Sequence, residues 1–270
     1  MELIDTHCHV QSAGQVEGED NTVLLWQRLG ASPETIIKRA QSAKVKQMIC
    51  VGCDLLDSKL AIGFAAEHDN CFAAIGIHPH EAKRYVDSSS DQEAFKALAK
   101  QAKVVAIGEC GLDYFYNHSE PDDQAAILKL QLDLAVATGL PVIFHVRQAF
   151  ADFWDIFDSY DNKIRGVVHS FTDNMANLEA ALKRGLYIGV NGIATFAKDP
   201  DQLAVYKAIP VDRLLLETDA PYLTPTPFRG NVNEPKHVLT VAEFLARLRG
   251  EELNYLAEHT TSNAGLLFGL

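Results

Sequence analysis

Leu3-Ile4-Asp5-Thr6-His7-Cys8-His9 opens the chain with a short apolar run that ends in two histidines, and the same form recurs. Ala106-Ile107-Gly108-Glu109, Ile143-Phe144-His145, Val167-Val168-His169 and Leu216-Glu217-Thr218-Asp219 each close an apolar run with a metal-ligating residue type. Eight such β-rich runs occupy 2–7, 47–52, 71–77, 104–108, 141–145, 166–169, 186–190 and 213–217. Most are continuously apolar in the middle, as parallel strands buried on both faces must be. Segments with helical period separate them, at 33–43, 55–68, 91–101, 121–138, 149–159, 174–184 and 199–208. The segment 121–138 is the clearest. Pro121 suits the first helical position, Asp122 and Asp123 the positive end, and Leu128, Leu132 and Ala135 one buried stripe.

Eight strand–helix units without a break in composition predict one α/β domain over 1–270, a TIM-like (β/α)8 barrel with its active site at the C-terminal mouth of the strands. An open doubly wound sheet is the competing architecture, but no Gly-x-Gly-x-x-Gly follows a strand. Helical pattern over 235–250 and 251–270 is expected to close the barrel and pack beneath or beside it. Two long loops remain, 10–32 and 220–234. The first carries Glu17, Glu19 and Asp20, which are expected to overhang the mouth.

Composition excludes several classes. The 270 residues are 47% apolar and 22% charged, which suits a large core and not a disordered chain. No apolar run approaches the ~20 residues of a membrane span. The first residues lack the basic start and apolar stretch of a signal peptide, and five scattered cysteines form no disulfide framework. The expectation is a cytoplasmic protein with no membrane contact and no obligate protein partner. Lys and Arg number 24 against 36 Asp and Glu, a net charge of −12, so there is no broad basic face for clamping nucleic acid.

The chemistry lies in the run ends. Residues i and i+2 of a strand point the same way, so His7 and His9 can reach one ion while Cys8 faces away. With Glu109, His145, His169 and Asp219 they make six ligand-type residues on five strands of one barrel, where burying them unpaired would be costly. Neutral imidazoles with two carboxylates suit a pair of divalent cations (Zn, Mg or Mn), one carboxylate bridging at roughly 3.5–4 Å. Two such cations against two carboxylates leave the site positive, so an anionic phosphate is attracted locally despite the acidic chain.

Read together, these segments resemble the TatD family of metal-dependent hydrolases, a family of deoxyribonucleases. The likeness rests on Ile4-Asp5-Thr6-His7-Cys8-His9, Gly76-Ile77-His78-Pro79-His80-Glu81-Ala82, Ile107-Gly108-Glu109-Cys110-Gly111-Leu112-Asp113-Tyr114, His145, His169-Ser170-Phe171, Glu217-Thr218-Asp219-Ala220-Pro221-Tyr222-Leu223, and Arg229-Gly230 with Asn233-Glu234-Pro235. The resemblance implies that His7, His9, Glu109 and Asp219 hold one metal, that Glu109, His145 and His169 hold the other, and that the reaction is phosphodiester hydrolysis in DNA. The expected substrate is DNA, as short or single-stranded ends, or a small phosphodiester, cleaved by a two-metal activated water. Asp219 is the candidate proton acceptor, Glu109 the catalytic bridge, and Arg229 and His78 the candidate substrate contacts. One departure stands out. The family's Arg-Gly-Lys-Arg-Asn-Glu-Pro reads here Arg229-Gly230-Asn231-Val232-Asn233-Glu234-Pro235, so two charges that would touch a nucleic-acid backbone are missing.

The alternative is a two-metal amidohydrolase acting on a small amide, ester or lactone. Many such enzymes bridge their metals with a carbamylated lysine, and Glu109 at that place favours the nuclease. A catalytically silent binding barrel would have eroded ligands, and these are intact. Asp5 and Glu217 share the strand parity of His7 and Asp219, and either orient a ligand or anchor a loop amide. Asp113 and Tyr114 are expected to shape a loop, and His80 to be a loop residue. Arg147 has two readings, a phosphate contact or a structural salt bridge. Cys50-Val51-Gly52-Cys53 ends a strand instead of opening a helix, which argues against a redox role. Trp26 belongs to a lid or, preferably, to a short helix packed on the rim.

Overall fold

The computed structural model describes residues 1–15 and 21–270. Glu17, Glu19 and Asp20 therefore lie outside the described residues. Strands β1 (Leu3–Cys8), β2 (Val45–Val51), β3 (Cys71–Ile75), β4 (Val104–Asp113), β5 (Val142–Arg147), β6 (Gly166–Val168), β7 (Tyr187–Val190) and β8 (Leu214–Leu216) follow one another in sheet order. Between them run α1 (Asn21–Leu29), α2 (Pro33–Ser42), α3 (Leu55–Glu67), α4 (Ala82–Tyr85), α5 (Ser89–Leu98), α6 (Pro121–Thr138), α7 (Phe150–Asp158), α8 (Met175–Lys183) and α9 (Pro200–Ala208). Helices α10 (Val238–Arg249) and α11 (Leu253–Phe268) complete the chain. This is the (β/α)8 element order of a TIM-like barrel, as the alternation predicts. Among the described residues no helix is long and apolar enough to cross a membrane.

The chain divides into two compact units, one of Met1–Cys50, Ser170–Lys183 and Tyr187–Leu270, the other of Val51–His169 and Arg184–Leu186. In the first, β7 pairs in parallel with β8, and β1 with β2. A parallel bridge between Cys8 and Ala220 joins the β1 end to the segment after β8. Thr6 Oγ1 reinforces that seam by donating to Leu216 O at 3.0 Å. Helix α11 covers β1 and β8, and its Asn263 amide donates to Val211 O and Leu214 O. In the second unit β3, β4, β5 and β6 pair in order, all parallel. Helix α6 packs on β4, and Phe144 meets Phe153 and Phe157 beneath β5 with ring centroids 5.0 and 5.8 Å away.

Two differences from the sequence reading bear on function. Strand β4 does not stop at Gly108, because its pairing with β5 continues through Gly111↔His145 and Asp113↔Arg147. Asp113 is thus a buried strand end, not a residue out on a loop. Gly111 makes this extension possible: at φ +154° a Cβ there would lie 1.8 Å from His145 O. The 10–32 segment holds α1, on which Val23 and Trp26 are buried and Trp26 Nε1 donates to His9 O at 3.0 Å. That is the short packed helix, not the lid.

Candidate metal centre

In the first unit, β1 ends on His7 and His9, both buried, their rings edge to face at 5.2 Å. Asp219 stands just past β8 with φ +59°, a left-handed conformation that Asp tolerates better than most residues. Its amide donates to His7 O at 2.8 Å, and His9 N donates to Ala220 O at 2.7 Å. This backbone clasp brings Asp219 Oδ1 within 3.5 Å of His7 Nε2 and 3.4 Å of His9 Nε2. Beneath it, Asp5 accepts from the amides of His7 and Thr218 and from Thr218 Oγ1. Of its two readings, Asp5 is the anchor. Burial, opposed by these hydrogen bonds, pushes its carboxyl up to about 8. Glu217 also accepts a backbone amide, that of Ser170, at 3.0 Å.

The loop after β8 is tied down by Asn233. Its amide donates to Thr218 O and Tyr222 O, and its Oδ1 accepts from Glu234 N. Val232 is buried and Asn231 N bonds Phe228 O, so neither presents a cation. Arg229 is exposed with its guanidinium 3.8 Å from the Phe196 centroid, a cation–π contact. At Gly230 nothing lies within 4 Å of a Cβ, and its φ of +89° is what calls for glycine.

In the second unit, the Glu109 carboxylate on β4 is the hub. Its Oε1 lies 2.7 Å from His145 Nδ1, 3.7 Å from His78 Nε2 and 4.0 Å from His169 Nε2. Ligand atoms of His78, Glu109 and His145 all fall within 4.8 Å of one another. The far side of His145 meets Asp113 Oδ2 at 2.9 Å, an oxygen also 3.0 Å from His80 Nε2. Burial alone would lower the His145 pKa, but the hydrogen bonds to Asp113 and Glu109 outweigh it and raise it to about 9. Burial opposes ionisation of Asp113, yet its bonds to His145 and His80 hold it well below the usual carboxylate range. His80 is therefore more than a loop residue. It shares a carboxylate oxygen with a candidate ligand.

His78 has a different character. Burial, with His145 beside it, holds its pKa well below the ordinary value, so the ring is neutral at pH 7. Its Nδ1 accepts from His80 N at 3.2 Å. The ring proton must then sit on Nε2, making that atom a donor and not a lone pair for an ion. This tautomer suits the substrate contact that sequence reasoning assigns to His78.

Two residues that the sequence reading missed hold this unit's site in place. Gln131 of α6 accepts from Ile77 N and donates to Ile77 O, fixing the residue before His78. Gln124, two turns earlier on the same face, does the same for the backbone N and O of Asp113. Their one sequence signal was faint, two glutamines seven apart within an apolar stripe, and that both are buried emerges only on folding.

Residues 4–269 match the family model described as TatD related DNase. The 3'-5' ssDNA/RNA exonuclease TatD of Cronobacter sakazakii is 38% identical over 241 residues, covering 87% of this chain and 91% of that protein. An uncharacterized metal-dependent hydrolase of Bacillus subtilis, YabD, is 36% identical over 268 residues, 98% of each chain. Among solved structures, YJJV, a TatD homolog from Escherichia coli K12, superposes with a TM-score of 0.86 at 29% identity, over 99% of this chain and 98% of that one.

Proposed function

The chain belongs to the TatD-related DNase family of metal-dependent hydrolases, and from that premise we propose that it removes nucleotides from single-stranded nucleic-acid ends with the help of two divalent cations. The observation that carries this reading is the pair of ligand sets at strand ends. One comprises His7, His9 and Asp219 with nitrogen–oxygen distances of 3.4–3.5 Å. The other gathers His145 and His169 within 4.0 Å of Glu109 Oε1, with His78 standing beside them as a donor. Imidazole nitrogens with carboxylate oxygens are the donor chemistry of Zn or Mn, and less so of Mg. The residues therefore fit. His7, His9, Asp219 and Glu109 would hold one ion, and Glu109, His145 and His169 the other. Bound there, such ions supply Lewis acidity and lower the pKa of water towards ~7.

The chain's own groups do the rest. Asp219 Oδ2 takes the proton of the attacking water, its side chain 15% exposed and so reachable. His78 donates its Nε2 proton to a phosphoryl oxygen. Arg229, with no ion pair among the described residues, turns from Phe196 to a second phosphate oxygen. The Asn231 and Val232 positions supply no charge for a longer strand, which favours short ends.

The test is kcat/KM on short single-stranded oligonucleotides, long duplex DNA, and a panel of amides, esters and lactones. Single strands are expected to be cleaved best, with activity falling as salt rises. Arg229→Ala should lose on the order of 2–4 kcal/mol of transition-state stabilisation. Turnover of an amide, ester or lactone with inactivity on every nucleic acid would overturn the proposal.

A further inference from the structure

The segment just beyond Asp113 carries two large aromatic side chains that the mechanism does not use. Phe115 is 49% and Tyr116 51% exposed, their rings edge to face at 4.8 Å. A single exposed aromatic is unremarkable, but an adjacent pair on a backbone that holds them out is not. Asp113 Oδ1 accepts from Phe115 N at 3.0 Å and from Tyr116 N at 2.9 Å. Tyr114 N donates to Arg147 O, and Tyr114 Oη to Asp152 Oδ2 at 2.8 Å. Asn117, at φ +51°, turns the chain back. The loop is thus locked while its rings face water.

Arg147 completes the surface. It lies on β5 two residues beyond His145, with its guanidinium carbon 4.1 Å from the Phe115 centroid and 4.7 Å from that of Tyr116. It makes no ion pair among the described residues, so of its two readings the salt bridge has no partner there and its charge stays available to a phosphate. Tyr116 also stacks in parallel with His118, the rings 5.8 Å apart and 9° from coplanar. The Asp113 carboxylate that bonds this loop's amides also bonds His145, so the rings sit a fixed, short way from a candidate ligand. On a chain of net charge −12, electrostatics alone holds a polyanion poorly. Base–aromatic stacking depends much less on charge and accepts every base.

We infer that Phe115 and Tyr116, backed by Arg147, form a stacking platform for an unpaired base next to the scissile phosphate. This rests on the nucleic-acid reading above and deepens it: the platform selects single strands, because a paired base has no free face to offer. The experiment measures KM and kcat on single-stranded oligonucleotides in which each of the three terminal bases is replaced in turn by an abasic residue. For the wild type, removing the stacked base should raise KM about tenfold. In the double variant Phe115→Leu/Tyr116→Leu, KM for the intact strand should rise by a similar factor and the abasic penalty should vanish. The variant Phe115→Trp/Tyr116→Trp should restore both. Tyr255→Leu, which removes another exposed aromatic, should change neither. If the wild type cleaves intact and abasic strands with equal KM, or the leucine variant keeps the penalty, the platform is wrong and the nuclease reading stands. If the metal-loaded wild type cleaves no oligonucleotide, the nuclease reading falls and the platform with it.

Discussion

Glu109→Ala should abolish hydrolysis, with a loss on the order of 10³-fold or more, and should lower the occupancy of both ions. The reason is positional. Oε1 of this one buried carboxylate lies within 4.0 Å of nitrogens from His145, His78 and His169. Its removal takes away one of the two carboxylates that flank the His145 ring, and with it the charge shared by both proposed coordination spheres. The neighbouring variant Cys110→Ala is the control. Cys110 is fully buried on the opposite strand parity, and burial pushes its thiol pKa up, so it is an inert packing residue. It should turn over within about twofold of wild type and cost about 1 kcal/mol of stability. A Glu109→Ala protein with two ions and near-full turnover would refute the bridging role.

Asp219→Asn should lower kcat by about 10²–10⁴-fold while leaving the fold intact. The substitution keeps shape and the Asp219 N to His7 O bond, and asparagine tolerates the left-handed backbone here as aspartate does. What it removes is the carboxylate's basicity: the side-chain oxygen can still face His7 and His9, but an amide nitrogen in place of Oδ2 accepts no proton. The melting temperature should move by no more than a few degrees. Retention of more than a tenth of wild-type kcat would show that the proton goes elsewhere.

Much of this was legible in the sequence, and the pattern of what was not is instructive. Buried parallel strands and amphipathic helices have distinct periods, so the order of elements follows directly from the chain. The boundaries moved where tertiary pairing outweighed local pattern. Gly108 and Gly111 look like a strand end, yet β4 runs on to Asp113 because a chain without a Cβ at 111 can lie against His145. The ligand residues stood out because each interrupts an apolar run. The Asp113–His80 contact was hidden, since 33 positions separate the two and only folding brings them to 3.0 Å. Gln124 and Gln131 were passed over for another reason. Polar residues in a helix stripe look like surface until the backbone groups they satisfy are known.

The central claim is that these strand ends form a binuclear centre, and metal titration of the stripped protein tests it most directly. The metal-free protein holds His145 as an imidazolium below about pH 9, between Asp113 and Glu109. An ion that takes this ring as a ligand must displace its proton. Calorimetric titration with Zn²⁺ or Mn²⁺, backed by elemental analysis, should reach about two ions per chain and release protons at pH 7.5. Apparent affinity at the His145 site should fall about tenfold for each pH unit below 9. A stoichiometry near zero in excess metal would contradict the account.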